Sequence, residues 1–197
     1  MAADLSRGLR DFLTEKIKAD LPSRRWRHSL SVARLAERLG RCWGVNPERA
    51  FAAGLLHDAA RALTLDGQRA LLRGYRGRTW DPITRNRHSA LWHAPAAALL
   101  ARRRYGVRDT GILRAVALHT TGWPNMRTLD KIIFVADYAE PRRGFAAAAV
   151  LRRLAEKDLD AAVAVVVRGK HAYLRAQGSG VHPRSRALLA SLAKRRR

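Results

Sequence analysis

Apolar positions recur at three- and four-residue intervals from one end of the chain to the other, the period of helices that each turn one face inward. Leu5, Leu9, Phe12, Leu13 and Ile17 form the first stripe, which ends at Pro22-Ser23, and a second helix runs to about Trp43 with Gly44 as its stop. Asn46-Pro47-Glu48 reads as an N-cap followed by proline at the first helical position, opening a helix to about Leu63. Its centre, Phe51 to Leu56, is apolar all round and should be buried. Further helices are expected from about Asp66 to Leu72, Ser89 to Tyr105, Thr110 to Leu118, and Leu129 to Ala139 behind a Thr128 cap. Three more should run from Ala147 to Glu156, Asp158 to Ala176 and Arg184 to Lys194, with a Gly-, Arg- and Pro-dense loop at Arg73 to Arg87. No stretch alternates apolar and polar residues as a half-buried strand would. The pattern predicts an all-α helical bundle: residues 1–22 as an N-terminal amphipathic helix, 23–186 as the main domain and 187–197 as a basic C-terminal tail.

Composition narrows the class without naming a function. An apolar fraction of 47% with 28% charged residues suits a packed core and excludes a disordered chain. The single cysteine, Cys42, leaves no intrachain disulfide framework and points to a reducing, cytoplasmic setting. The longest apolar run, Ala161 to Val167, is far short of the ~20 residues of a membrane span, so no membrane association is expected. Lysine and arginine number 39 against 16 acidic residues, a net charge of +23 that attracts polyanions of every kind, RNA included. It does not choose among them, and an Arg- and Ala-rich composition is equally what a GC-rich genome produces.

The sharper signals are ionisable residues where apolar ones are expected. His57-Asp58 closes an all-apolar helix, and a buried unpaired carboxylate costs several kcal/mol, so a positive partner or a metal is required there. His28 lies on the stripe of Val32, Leu35 and Leu39, and Asp137 on the inward face of Ile132 to Ala136. Taken singly, each has an ordinary explanation as a hydrogen-bonded core histidine or a helix-end aspartate. Two histidines and two aspartates on separate apolar faces form one mixed nitrogen and oxygen site, and His93 and His119, both at helix ends, could complete a second with Asp58 bridging. Such donors suit Fe, Mn or Zn better than Ca or Mg.

The order His28, His57-Asp58, His93, His119, Asp137 resembles the HD-domain phosphohydrolases. The words around it, Arg25-Trp-Arg-His28-Ser, Gly54-Leu-Leu-His-Asp58, His93-Ala-Pro95, His119-Thr-Thr-Gly122, Lys131-Ile-Ile-Phe-Val-Ala-Asp-Tyr138, Glu140-Pro141 and His182-Pro183, are similar to the YqeK-type HD domain, the family of bacterial symmetrical diadenosine tetraphosphatases. The likeness runs from about Arg24 to Arg186. It implies an HD-domain helical bundle that hydrolyses diadenosine tetraphosphate to two ADP at a mono- or dinuclear iron centre, and a homodimer. It also implies His28, His57, Asp58 and Asp137 as principal metal ligands and His93 and His119 as ligands of a second ion or phosphate contacts. Asp58, His93, His119 and Arg61 would then be catalytic, while Arg25, Arg61, His93, His119, Thr120, Arg143, His182 and Arg184 would hold the nucleotide. Arg61 stands where a lysine is more usual, and Arg142-Arg143 replaces Asn-Arg; both keep positive charge. Another nucleotide as substrate (a deoxynucleoside triphosphate, guanosine polyphosphate or cyclic nucleotide) and an RNA-binding protein with a vestigial metal site are the alternative readings.

Overall fold

A computed structural model describes residues 7–77, 81, 84, 89–144 and 147–194. Leu5, His88 and part of the 73–87 loop lie outside the described residues. The helices are α1 (Arg7–Asp20), α2 (Ser23–Cys42), α3 (Pro47–Leu56), α4 (Leu65–Leu72), α5 (His93–Arg103), α6 (Thr110–Leu118), α7 (Thr128–Ala139), α8 (Ala147–Lys157), α9 (Leu159–Ala176) and α10 (Pro183–Lys194). Two 3-10 turns, Ala59–Ala62 and Ser89–Leu91, sit between them, and there is no strand among the described residues. No helix among those residues is long and apolar enough to cross a membrane.

The core is built around α3, in which every residue from Ala50 to Leu56 is buried, as its all-round apolar sequence requires. Asn46 caps it, its side-chain oxygen accepting from the N–H groups of Glu48 and Arg49. Helix α7 is nearly as deeply placed, with Ile132, Ile133, Phe134, Val135 and Ala136 inaccessible to solvent. Helix α1 covers α3 through Leu13 and Ile17, whose full burial contributes roughly 1.5–3 kcal/mol each, while Phe12 of the expected stripe faces solvent. Arg10 ties this cover down by bonding Glu37 of α2 and Glu48 of α3 and lying over the Phe51 ring.

Four local expectations are corrected. Helix α3 ends at Leu56 rather than near Leu63, because the backbone leaves helical geometry at Asp58 (φ −105, ψ 11) and tightens into the 3-10 turn. The segment from Ser89 likewise starts as a 3-10 turn and becomes an α-helix only at His93. The N-cap of α7 is Arg127, not Thr128; its N–H donates to the Asp130 carboxylate at 2.7 Å. Residues 187–194 are no tail: Leu188 and Leu192 reach the common core, so α10 is part of the bundle.

Helices α2 and α3 cross in close contact, and Gly54 permits it. A Cβ at Gly54 would stand 2.7 Å from Ala33 Cα and 3.0 Å from its backbone nitrogen, so backbone and not a flexible side chain blocks any larger residue. This contact also sets the distance between His28 on α2 and His57 at the end of α3. Gly54→Ala should therefore destabilise the protein by about 1–3 kcal/mol through overpacking, despite alanine's better helix propensity. Thermal unfolding should show a Tm lowered by roughly 2–4 °C per kcal/mol for a chain of this size; an unchanged or raised Tm would mean that the crossing tolerates the methyl group.

Candidate metal centre and active site

Three histidines at helix boundaries are oriented by one device. His57 Nδ1 lies 2.7 Å from the Gly54 carbonyl, His93 Nδ1 2.8 Å from Ala90 and His119 Nδ1 2.7 Å from Val116. In each case the acceptor is the carbonyl three residues back, which a helix end or 3-10 turn brings beneath the ring. A carbonyl only accepts, so Nδ1 carries the proton and Nε2 presents a lone pair. His28 is fixed differently, its Nδ1 donating to the buried Glu140 carboxylate at 3.1 Å, with the same result.

The four Nε2 atoms converge. His28 Nε2 faces His57 Nε2 at 3.2 Å, and Asp137 Oδ1 lies 3.3 Å from the first and 3.7 Å from the second. His93 Nε2 faces His119 Nε2 at 3.1 Å, with Asp58 Oδ1 at 3.5 and 3.8 Å. The other Asp58 oxygen, Oδ2, turns toward His57 at 3.9 Å and Arg25 at 3.6 Å. Asp58 thus joins the two groups, one carboxylate oxygen on each side.

The groups differ in what already satisfies them. Around His93 and His119 there are donors: the Thr120 hydroxyl is 3.2 Å from both Nε2 atoms and an Arg61 N–H is 3.2 Å from His93. His28, His57 and Asp137 direct three lone pairs at one point, and only a proton or a cation there removes their repulsion. Burial disfavours a proton on His28, yet its bonds to Asp137 and Glu140 outweigh this and raise its pKa. Burial instead lowers the pKa of His93 to about 4 and that of His119 well below the usual range, so both stay neutral at pH 7. Desolvation of buried Asp58 and half-buried Asp137 favours the neutral acid, but the surrounding imidazoles and Arg61 or Lys170 hold both well below ordinary carboxylates.

This arrangement fits a divalent transition metal. The donors are imidazole nitrogens and carboxylate oxygens, each histidine has its far nitrogen anchored, and two three-residue sets, His28, His57, Asp137 and His57, Asp58, His119, are close enough to share ions. Arg61 lies over Asp58 from within the 3-10 turn Ala59–Ala62, Nε donating to Oδ1 at 2.9 Å, and Arg143 reaches Asp137 at 3.2 Å. An open pocket of about 580 Å³ over His93 and His119 is lined by Arg61, Thr120, Arg143 and His182. Arg184 is a correction: its buried guanidinium bonds Asp81 and Thr121 and lies against Trp123, outside the pocket lining. Neither Trp92 nor Trp123 lines that pocket; Trp92 donates to the Thr84 carbonyl instead.

Two functional positions escaped the sequence reading. Glu140 was only part of a motif, although its place three residues after Asp137 puts it on the same side of α7. Lys170 ends the buried stripe Val163, Val166, Val167 of α9 at the next helical step. Its Nζ donates to the carbonyls of His119 and Thr120 at 3.3 and 3.4 Å and lies over the Phe134 ring. A single charged residue on that stripe was the available signal. His171 is buried and bonds Ser185 at 2.9 Å, tying α9 to α10.

A helical bundle that closes histidines and the His57-Asp58 pair around a cation site defines the HD class, and the HD domain family model matches residues 25–142; the chain belongs to that family. Such domains bind divalent metal ions. The chain is 33% identical to the symmetrical bis(5′-nucleosyl)-tetraphosphatase of Bacillus subtilis over 85% of its own length and 88% of the relative's. It is 32% identical, over the same shares, to the enzyme of that name from Halalkalibacterium halodurans. A Clostridium acetobutylicum crystal structure, described as an HD superfamily hydrolase involved in NAD metabolism, superposes with a TM-score of 0.85 at 34% identity, covering 94% of this chain and 97% of that one. The YqeK-type resemblance therefore extends over most of the sequence.

Metal and proton compete at His28. In the free protein its raised pKa adds stability that is full below the unfolded value near 6.5 and is lost as pH rises through the folded value. A bound cation must displace that proton, so metal affinity should rise roughly tenfold per pH unit on approaching the folded pKa and level off above it. Glu140→Ala should weaken binding by roughly 10–100-fold, since His28 loses its anchor. Metal titration by calorimetry between pH 5.5 and 8 checks both, and a pH-independent affinity would show that no proton is displaced from His28.

Proposed function

We propose that this protein is a metal-dependent hydrolase that cleaves diadenosine tetraphosphate symmetrically to two ADP, with iron as the first candidate metal and manganese as a substitute. The observation that carries this is the pairing of a complete, anchored nitrogen and oxygen donor set with an adjoining basic pocket, in a chain that spans most of the length of relatives named for that activity. The intact donor set speaks against a vestigial site in a protein that merely binds RNA.

His28, His57, Asp58 and Asp137 would hold the principal ion, and His93 and His119 either a second ion or phosphate oxygens. A divalent cation there supplies positive charge to the phosphates and lowers the pKa of a coordinated water toward neutrality. Asp58, spanning both groups, orients whatever binds on either side of it. Arg61 and Arg143 are already aimed at the centre by their carboxylate partners, so they meet substrate oxygens without large rearrangement. As the anhydride bond breaks, charge grows on the departing diphosphate, and fixed guanidinium donors stabilise that charge more than they stabilise the ground state. The Thr120 hydroxyl and the neutral His93 and His119 rings complete a pocket wall that can donate or accept as the phosphates shift.

Purified protein, stripped of metal and reloaded anaerobically with Fe²⁺ or Mn²⁺, should convert diadenosine tetraphosphate to ADP alone. Asp58→Ala should lower kcat by more than the roughly 10–100-fold expected from losing a ligand's supporting hydrogen bond. Formation of ATP and AMP would refute symmetrical cleavage, and undiminished turnover in Asp58→Ala would refute the assigned centre.

A further inference from the structure

A second pocket, about 690 Å³, adjoins the first and shares Asp58, Arg61 and Arg143 with it, but opens over His28 instead of His93 and His119. The two differ in chemistry. The first offers Leu91, Leu174 and the exposed ring of Tyr173 beside its polar groups, surfaces that suit a base and a sugar. The second has Pro22 as its sole apolar lining residue, and five arginines, Arg24, Arg25, Arg61, Arg142 and Arg143, share its lining with two carboxylates, Asp58 and Glu140, while Arg143 is also held by Asp137. Glu140 is already engaged by His28 and by the Arg142 backbone N–H.

An independent feature points to an anion in the same place. The twenty-residue helix α2 begins in this groove behind Pro22, which offers no side-chain cap, and has no acidic residue in its first turn. Arg24 and Arg25 occupy that turn, where the helix dipole disfavours cations, and the first N–H groups have no intrahelical acceptor. A phosphate bound there would satisfy the free N–H groups and relieve both guanidiniums at once.

We infer that the groove at the start of α2 is a diphosphate site that reads no nucleoside, so that the protein also hydrolyses adenosine 5′-tetraphosphate, a single nucleoside carrying four phosphates, to ADP and pyrophosphate. This rests on the proposed hydrolase reading and extends it to substrates with one nucleoside. Water's oxygen bonds to phosphorus, the anhydride bond between the second and third phosphates breaks, and its bridging oxygen leaves on one of the two diphosphate products with a proton released to solvent. One diphosphate remains attached to adenosine in the first pocket, and the other departs from the arginine groove.

The test compares diadenosine tetraphosphate with adenosine tetraphosphate on the same metal-loaded enzyme. Adenosine tetraphosphate should give ADP and pyrophosphate with kcat/KM within about tenfold of the dinucleotide, because the missing nucleoside made no contact that favoured the transition state. Arg24→Ala combined with Arg142→Ala, both exposed, should raise KM for both substrates by about tenfold or more. Calorimetry should show pyrophosphate affinity falling in parallel while ADP affinity changes by less than about twofold. Cleavage of the dinucleotide but not of adenosine tetraphosphate would overturn the inference, as would equal losses of ADP and pyrophosphate affinity. Cleavage of neither would remove the hydrolase reading beneath it.

Discussion

The site depends on the bond from an imidazole Nδ1 to the carbonyl three residues behind it. That bond decides which ring nitrogen holds the proton, and hence that the Nε2 atoms of His57, His93 and His119 enter the centre as lone pairs. With His28 turned the same way by Glu140, the fold gathers acceptors that repel one another unless positive charge lies among them. Such an assembly costs stability in the free protein, and the surrounding helices must hold it together by packing. The deep burial of α3 and α7, which supply His57 and Asp137, meets that demand.

Why the anchors work is a matter of helix ends. In a helix interior the carbonyl three residues back lies close to the intrahelical ladder and cannot readily turn to a side chain. At the last turn of α3 and α6, and at the 3-10 turn before α5, carbonyls are released from the α-helical pattern. The early stop of α3 is therefore part of the site: it frees the Gly54 carbonyl for His57, turns Asp58 between the two groups, and puts Arg61 one 3-10 turn away, over the carboxylate. Continuing that helix to Leu63 would have carried Asp58 and Arg61 onto different bearings.

Much of this was legible beforehand. Apolar periodicity locates the helices because burial acts at a fixed angular interval, and ionisable residues on apolar faces at His28, His57-Asp58 and Asp137 stand out against it. What periodicity cannot convey is where the backbone departs from a helix while the sequence stays apolar. Ala59 and Ala60 are buried and helix-compatible, so the change at Asp58 is fixed by tertiary contacts and by the bond to Arg61. The misread Arg184 has a related cause: an arginine beside a phosphate-site motif reads as a ligand contact, whereas here the demands of Asp81 and Thr121 capture it. Lys170 was overlooked because one lysine among so many cations carries little information until its bonds to the His119 and Thr120 carbonyls are known.

The net charge of +23 acquires a clearer meaning once acidic residues are placed. Several of them are committed: Glu37 and Glu48 to Arg10, Asp109 to Arg49 and the cap of α6, Asp20 to Arg104 and Tyr105, and Asp58, Asp137 and Glu140 to the centre. With these acids committed, the large excess of cations dominates the outward field, so a polyanion approaches under attraction and its encounter rate falls as salt screens the field. Attraction of that kind is indiscriminate. Discrimination begins where guanidiniums stop being solvated singly and are held at set bearings, as Arg61 and Arg143 are by Asp58 and Asp137. At that point an anion whose charges match those bearings gains contacts that a chain of isolated phosphodiesters does not.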